Sequence, residues 1–240
     1  MDQIFFIFIL IVVATIFFLV FYFSKNAIIK RKLKKSELKK IATIKDGEIV
    51  RIVGNVEFID PPLFAPLSKR KCSYYHVLIE QKVSSGKNSK WKTIIEEEVS
   101  NRFLIKDDSK FAFINDSKIR SYIVTDQSYS SGFFKDATDN LETYLKSKGY
   151  KSEGLLGINK TLRYKEGILE EGERIAVLGK AEWKDVAVLN LPKKYERILE
   201  ITSSEEDPIY LSDDPTTAEA NTANPHSSVK ESSPKRRYRK

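Results

Sequence analysis

The chain has 240 residues, of which 41% are hydrophobic and 31% are charged, and its formal net charge is +8. Residues 1–40 carry a net charge of +6 and residues 230–240 a net charge of +5, which leaves −3 on residues 41–229. The central region therefore lacks the basic surface of a nucleic-acid-binding domain, and we predict no nucleic-acid partner. The single cysteine excludes an intrachain disulfide and suits a reducing compartment.

The first predicted element is an apolar helix. Residues 4–23 form a run of twenty residues without a charge, a glycine or a proline. A helix rises ~1.5 Å per residue, so this run would span the ~30 Å hydrocarbon core of a bilayer. A cleaved signal peptide is the main alternative, but it would open with a basic segment and end in small residues, neither of which is present. We therefore predict an uncleaved transmembrane anchor over residues 1–24.

A basic juxtamembrane segment follows over residues 25–40. It holds eight Lys and Arg residues and one opposing acid, Glu37. Positively charged flanks of membrane helices stay in the cytoplasm, so we predict a single-pass protein with its N-terminus outside and its domain in the cytoplasm. The same lysines can also rest against anionic lipid headgroups, each contributing on the order of 1 kcal/mol. Topology alone and lipid recognition explain this segment equally well.

The sequence of residues 41–213 predicts a mainly β, antiparallel domain, for which a partly open, OB-like barrel is one suitable architecture. Segments rich in β-branched and aromatic residues alternate with polar turn sequences. The predicted strands are 48–58, 73–83, 91–99, 102–106, 111–115, 119–124, 172–181, 185–191 and 197–202. One short amphipathic helix is predicted over residues 136–148, because Leu141, Tyr144 and Leu145 share one face. The polar composition of residues 214–240 predicts a disordered tail.

Residues that could carry chemistry are few. Cys72 and His76 would lie ~13 Å apart on a strand, too far to bind one metal ion, and the other histidine, His226, lies in the predicted tail. The same shortage argues against Ser-His-Asp and Cys-His catalytic sites. We predict no metal, no cofactor and no catalytic residue. A hydrolase that uses the acidic clusters is the weakest alternative, and several acids meeting His76 in one deep pocket would favour it.

Several segments resemble one known family. Gly54-Asn55-Val56 and residues 63–75, 102–109 and 164–179 occur in order after the membrane helix. They are similar to the signature of the GIDE family, also called the BAM (beside-a-membrane) domain, over roughly residues 40–212. The resemblance implies a β-rich, membrane-adjacent module that binds or positions partners. Ubiquitin ligases of this family add a RING finger, which needs about eight Cys or His ligands. The three Cys and His residues of this chain exclude a RING finger.

Two sets of residues stand out within these segments. We expect structural roles for Gly54, Pro66, Ser68, Cys72, Tyr75, Asp107, Glu166, Gly172 and Gly179. We predict that residues 60–72 form an interaction loop, because an apolar tip beside cations suits an interface; the candidate residues are Phe64, Lys69, Arg70 and Lys71. The expected function is a non-catalytic module for an unknown protein or lipid partner. The alternative is the substrate-recognition arm of a ubiquitin-ligase-like membrane assembly. The oligomeric state stays open.

Overall fold

The computed structural model describes residues 2–86, 88–108, 110–115, 118–132, 136–154 and 159–219. The α-helices are α1 (Asp2–Tyr22), α2 (Lys25–Lys35), α3 (Asp139–Ser147) and α4 (Pro215–Ala218). The strands are β1 (Ile49–Phe58), β2 (Leu63–Phe64), β3 (Lys71–Cys72), β4 (Tyr74–Ser85), β5 (Asn88–Ser100), β6 (Phe103–Asp107), β7 (Lys110–Ile114), β8 (Ile119–Tyr122), β9 (Gln127–Ser131), β10 (Leu162–Leu169), β11 (Arg174–Asp185), β12 (Arg197–Thr202) and β13 (Ile209–Ser212). The fold is mainly β, as predicted.

Five strands form a partly closed barrel. The larger sheet has the order β1-β6-β7-β12-β11-β13-β8, and β11 also pairs with β1, which closes the first five strands on themselves. Alternate residues of these strands point inward and fill the barrel with aliphatic side chains, among them Ile52, Ile105, Val177 and Ile201. The β6–β7 hairpin agrees with its prediction. Strands β13 and β8 extend the sheet beyond the barrel and pair in parallel.

A second sheet carries the predicted soluble helix. Its four strands have the antiparallel order β5-β4-β10-β9, and β4 and β5 form the long hairpin that the sequence predicts. On one face, Val77 and Ile79 pack with Leu141 and Leu145 of α3. Side chains alternate between the two faces of a strand. His76 comes directly before Val77 in β4, so it projects from the opposite face. The sheet thus has a covered apolar face and a polar outer face.

Helix α1 is apolar, and all of its residues from 5 onward are exposed. Its residues 5–22 have a mean hydropathy of 3.0, which gives the helix the length and composition of a membrane span. Helix α2 behaves differently, because Ile29 and Leu33 are fully buried against the larger sheet. Part of the segment predicted as a separate juxtamembrane stretch therefore belongs to the core of the domain.

Three further differences concern chain segments at the surface. Residues 186–190 form turns and not the strand predicted over 185–191, because the Asp185 carboxylate accepts a hydrogen bond from the Ala187 N–H and Asn190 adopts a positive φ of 52°. Strand β8 pairs with β13 and does not continue the β6–β7 hairpin. Residues 215–218, which the sequence assigns to the predicted tail, form α4, in which Thr217 and Ala218 are buried. Residues 220–240, with His226, lie outside the described residues.

Candidate functional site

The predicted interaction loop lies between the short paired strands β2 and β3. Leu63 is opposite Cys72 and Phe64 is opposite Lys71 in this ribbon. The loop closes on itself, because the Lys69 N–H donates to the Ala65 carbonyl oxygen at 2.9 Å and the Ala65 N–H donates to the Arg70 carbonyl oxygen at 2.9 Å. Its backbone is thus held in one conformation by its own hydrogen bonds.

The buried carboxylate of Glu166 holds the loop against the second sheet. This side chain of β10 is 1% exposed, and its two oxygens accept hydrogen bonds from the N–H groups of Leu67 at 2.7 Å and Ser68 at 2.9 Å. The Asn140 amide on α3 donates to the Leu67 carbonyl oxygen at 2.7 Å. Backbone donors therefore satisfy a charge that would otherwise be costly to bury. The sequence predicts a structural role for Glu166. Its contact with the loop joins residues 98 and 99 positions apart in the chain, which no local pattern indicates.

Arg70 differs from the other predicted cations of the loop. Its guanidinium donates two hydrogen bonds to the Glu170 carboxylate, and a second carboxylate, that of Asp126, lies 3.6 Å away. The hydrogen bonds to Glu170 raise the pKa of the Arg70 guanidinium above its ordinary value. Arg70 is thus committed to partners within the domain, and it positions the loop more than it offers a free charge.

Phe64, Lys69 and Lys71 are the residues that the loop presents to solvent. The Phe64 side chain is 59% exposed, and both lysines are exposed. Neither ammonium forms a hydrogen bond or ion pair with the described residues. Because Phe64 and Lys71 are directly opposite each other in the ribbon, the ring and one ammonium project from the same side.

The two glycines of the barrel lie where backbones approach closely. A Cβ atom on Gly54 would overlap the Lys106 carbonyl oxygen of the neighbouring strand. A Cβ atom on Gly179 would lie 2.6 Å from the Cγ2 atom of Ile201. Both contacts are shorter than carbon atoms tolerate, so any larger residue would push the strands apart.

The remaining motif residues lie in turns or pack under the loop. Asp107 accepts a hydrogen bond from the Ile41 N–H, and Gly172 occupies a turn with φ of 82°. The Ser68 hydroxyl accepts from the Arg70 N–H at 3.4 Å. Cys72 is fully buried, and burial raises the pKa of its thiol to about 11, which keeps it protonated and unreactive. The other two residues are only half-buried: Pro66 and Tyr75.

A cleft of about 380 Å³ lies on the outer face of the second sheet. One wall is formed by residues 24–26, directly after α1, and another by residues 121–123 and 125. Its polar side chains are those of Lys25, His76, Glu96, Glu98, Ser121 and Lys165, with a few further polar groups at the rim. No local pattern in the sequence predicts this cleft, since its walls come from five separate segments.

Half of these polar groups are already bonded to one another. The Glu98 carboxylate accepts hydrogen bonds from the Lys25 ammonium at 2.8 Å and from the Ser121 hydroxyl at 3.0 Å. Ser121 in turn contacts the hydroxyl of buried Tyr74 at 2.7 Å. Burial alone would raise the pKa of Glu98, but the hydrogen bonds, with that from Lys25 the strongest, hold it below its ordinary value. Glu98 is thus a charged residue that joins the chain after α1 to the sheet.

The cleft brings His76 together with two carboxylates, the arrangement that would favour a hydrolase. The Nε2 atom of His76 lies 3.6 Å from an oxygen of Glu96, too far for a hydrogen bond, and it has no bonding partner. The Ser121 hydroxyl is bonded to Glu98 and not to His76. No hydroxyl or thiol is hydrogen-bonded to His76 among the described residues, so the cleft holds no activated nucleophile of the Ser-His type.

Among the described residues, no three His, Cys, Asp or Glu side chains are grouped so that they could hold a metal ion. No protein-family model, no curated protein and no solved structure matches this chain. Its function therefore has to be inferred from the geometry of these two sites.

Proposed function

We propose that this protein is a single-pass membrane protein whose β domain is a non-catalytic interaction module at the cytoplasmic face of the membrane. The observation that carries the proposal is the exposed Phe64 side chain on a loop that buried Glu166 holds rigid. Transfer of a phenylalanine side chain from water into an interface contributes roughly 1.5–3 kcal/mol. A loop that is already ordered loses little conformational entropy when it binds. An exposed apolar ring on an ordered loop therefore suits binding to a partner.

The chemistry of the loop indicates a protein partner with acidic residues around an apolar pocket. Lys71 is opposite Phe64 in the ribbon, Lys69 lies in the loop between them, and neither lysine has an acidic partner in the described part of the domain. Cations around an apolar anchor steer association and select complementary surfaces. A partner that accepts the ring in a pocket and pairs with the two ammonium groups would contact all three side chains that the loop exposes.

Membrane attachment rests on α1 and on the basic residues after it. The length and hydropathy of α1 suit a membrane span, and the positive flank favours a cytoplasmic domain. Membership of the GIDE family is part of the proposal and rests on the sequence resemblance. Substrate recognition in a ubiquitin-ligase-like assembly would be one use of such a module, but no contact of the described residues favours it over other uses.

Site-specific photocrosslinking of the full chain in intact membranes tests the loop. A photoreactive amino acid replaces Phe64, and a second variant carries it at Val188, an apolar residue 72% exposed in the turns after β11. We expect a discrete crosslinked species from position 64 alone, and we expect Lys69→Gln with Lys71→Gln to weaken it. Equal products from both positions, or none from position 64, would refute the proposed loop.

A further inference from the structure

The cleft on the outer face of the second sheet opens beside the end of α1. Ser24 and Lys25, which line the cleft, come two and three residues after the last residue of α1, Tyr22. Successive Cα atoms are ~3.8 Å apart, so the cleft wall begins within ~8 Å of the last residue of α1. If α1 spans the bilayer, the cleft lies at the level of the lipid headgroups.

Two opposite charges lie in a row across the floor of the cleft. Lys165 of β10 is opposite Leu78 of β4, and Leu78 is opposite Glu96 of β5. Neighbouring strands are ~4.8 Å apart, so the Lys165 and Glu96 Cα atoms are ~10 Å apart with an apolar residue between them. The two side chains form no ion pair with each other. Among the described residues Lys165 makes no hydrogen bond, and the Glu96 carboxylate lies 3.6 Å from the Nε2 atom of His76.

His76 lies next to this row and has an unused hydrogen-bonding atom. It neighbours Leu78 on the same face of β4 and lies between Gly167 and Glu98 on the adjacent strands. Its Nε2 atom is buried and makes no hydrogen bond. Buried polar atoms in native proteins are nearly always bonded, so this nitrogen can take a hydrogen bond from a ligand group that enters the cleft. The cleft thus offers an anionic group, a cationic group and a free imidazole nitrogen.

This set of groups discriminates between lipid headgroups. Quaternary ammonium ligands require open aromatic faces, and the ring of Tyr122 in the cleft wall has the Lys30 ammonium 4.9 Å from its centroid. A net-negative headgroup would meet the unpaired Glu96 carboxylate, while Lys25 is already paired with Glu98. A primary ammonium can donate hydrogen bonds to Glu96 and His76, and a phosphate joined to it by a short linker can pair with Lys165.

We propose that this cleft binds the headgroup of an ethanolamine phospholipid, with the ammonium at Glu96 and His76 and the phosphate at Lys165. The assignment rests on the proposed membrane anchoring through α1. It adds a lipid-binding site separate from the Phe64 loop, which lies on the α3 side of the second sheet. Binding there would join the domain to the membrane surface at a second point beside α1 and would fix the orientation of the domain.

Native mass spectrometry of the full chain tests this site. The protein is released from detergent micelles that contain equal amounts of phosphatidylethanolamine, phosphatidylcholine and phosphatidylglycerol with identical acyl chains. We expect retention of phosphatidylethanolamine over the other two lipids. Glu96→Gln and Lys165→Gln should each lower that retention by roughly tenfold, because each removes one charge-assisted contact. The matched controls are Glu153→Gln and Lys90→Gln, exposed residues outside the cleft, which should leave it unchanged.

Three results would overturn the assignment. They are preferential retention of phosphatidylcholine or phosphatidylglycerol, unchanged retention in both cleft variants, and an equal loss in the control variants. A parallel arm with glycerophosphoethanolamine separates a membrane lipid from a soluble headgroup, since equal binding of the soluble compound would refute a lipid site. Alkaline carbonate extraction of membranes tests the anchor independently: release of the wild-type chain would count against the proposed function, whatever the lipid measurement shows.

Discussion

The Lys25 ammonium donates a 2.8 Å hydrogen bond to the carboxylate of Glu98, which lies 73 residues later in the chain. This contact joins the first residue of α2 to the second sheet, immediately after the apolar helix. Further along α2, Lys30 and Lys32 pair with Asp214 and Asp207 in the same way. The lysines that the sequence assigns to the membrane surface therefore also attach α2 to the domain, and fewer of them are free for lipid.

Replacement of Glu166 should loosen the interaction loop. Glu166→Gln retains the shape of the side chain but places an NH₂ group against one of the two backbone donors at Leu67 and Ser68. We expect a loss of ~1–3 kcal/mol in the free energy of unfolding, because a buried donor is left without an acceptor. Trypsin should also cleave faster at Lys69. Glu171→Gln, in an exposed turn, is the control; equal stability of the two variants in denaturant titrations would contradict the role given to Glu166.

The three cations of the loop should separate into two classes. Lys69→Gln with Lys71→Gln should change the stability of the domain by less than ~0.5 kcal/mol, since both residues are exposed. Arg70→Gln should destabilise it by up to ~1 kcal/mol, because its paired contact with Glu170 is lost at a partly exposed site. Thermal unfolding of the variants measures both effects. A double lysine variant that is less stable than Arg70→Gln would contradict this separation of the cations into two classes.

Tyr74 and Tyr75 should respond differently to truncation. Tyr74 is 5% exposed and its hydroxyl contacts Ser121, whereas Tyr75 is half-buried beside the loop. Tyr74→Ala should cost ~3–5 kcal/mol, the range for large buried aromatics, and Tyr75→Ala clearly less. Chemical denaturation followed by tryptophan fluorescence compares the two variants directly. A larger loss in Tyr75→Ala would show that its ring is packed more tightly than its exposure indicates.

The partly buried carboxyl group of Asp213 should make stability depend on pH. Burial raises its pKa to about 7, well above the ~3.9 of an unfolded aspartate. The folded state then holds a proton that the unfolded state has released, so the stabilisation is fully present below about pH 4 and is lost as pH rises through about 7. Wild-type protein should therefore lose this contribution between about pH 4 and pH 7, the interval between the two pKa values.

Asp213→Asn isolates this effect. The asparagine stays neutral, and its carbonyl oxygen can accept the 2.8 Å hydrogen bond from the Val124 N–H. The variant should lack the part of the pH dependence that Asp213 supplies, and Glu171→Gln should retain it. Denaturant midpoints measured at several pH values provide the comparison. Identical pH profiles for the wild type and Asp213→Asn would show that Asp213 does not titrate in this range.

Protease accessibility tests the predicted orientation. If the N-terminus faces outward and the domain lies in the cytoplasm, protease added to intact cells should leave the domain uncut, and permeabilised cells should allow its digestion. A mature chain that begins after residue 23 would show instead that the apolar segment is a cleaved signal. Digestion of the domain in intact cells would show that the orientation is the opposite of the predicted one.

Local patterns in the sequence predicted the features whose physical cause is local. The length of the apolar run predicted α1, and alternation of apolar residues predicted the β4–β5 hairpin, since both depend on residues close together in the chain. Helix α3 followed from the spacing of Leu141, Tyr144 and Leu145. The mainly β class and the partly closed barrel agree with these predictions, although the sequence did not indicate how the strands are ordered.

Only the tertiary structure decided which distant residues meet. Arg70 had the pattern of a free loop cation, but the fold places Glu170 against it, 100 residues further along the chain. The row from Lys165 through Leu78 to Glu96 exists because β10, β4 and β5 are neighbours in that register. Periodicity assigns a residue to a face of a strand, whereas strand order and register determine the residues beside it. The apolar helix and the fold class are therefore local properties of this sequence, and the hydrogen bonding of the loop and the cleft are properties of its strand pairing.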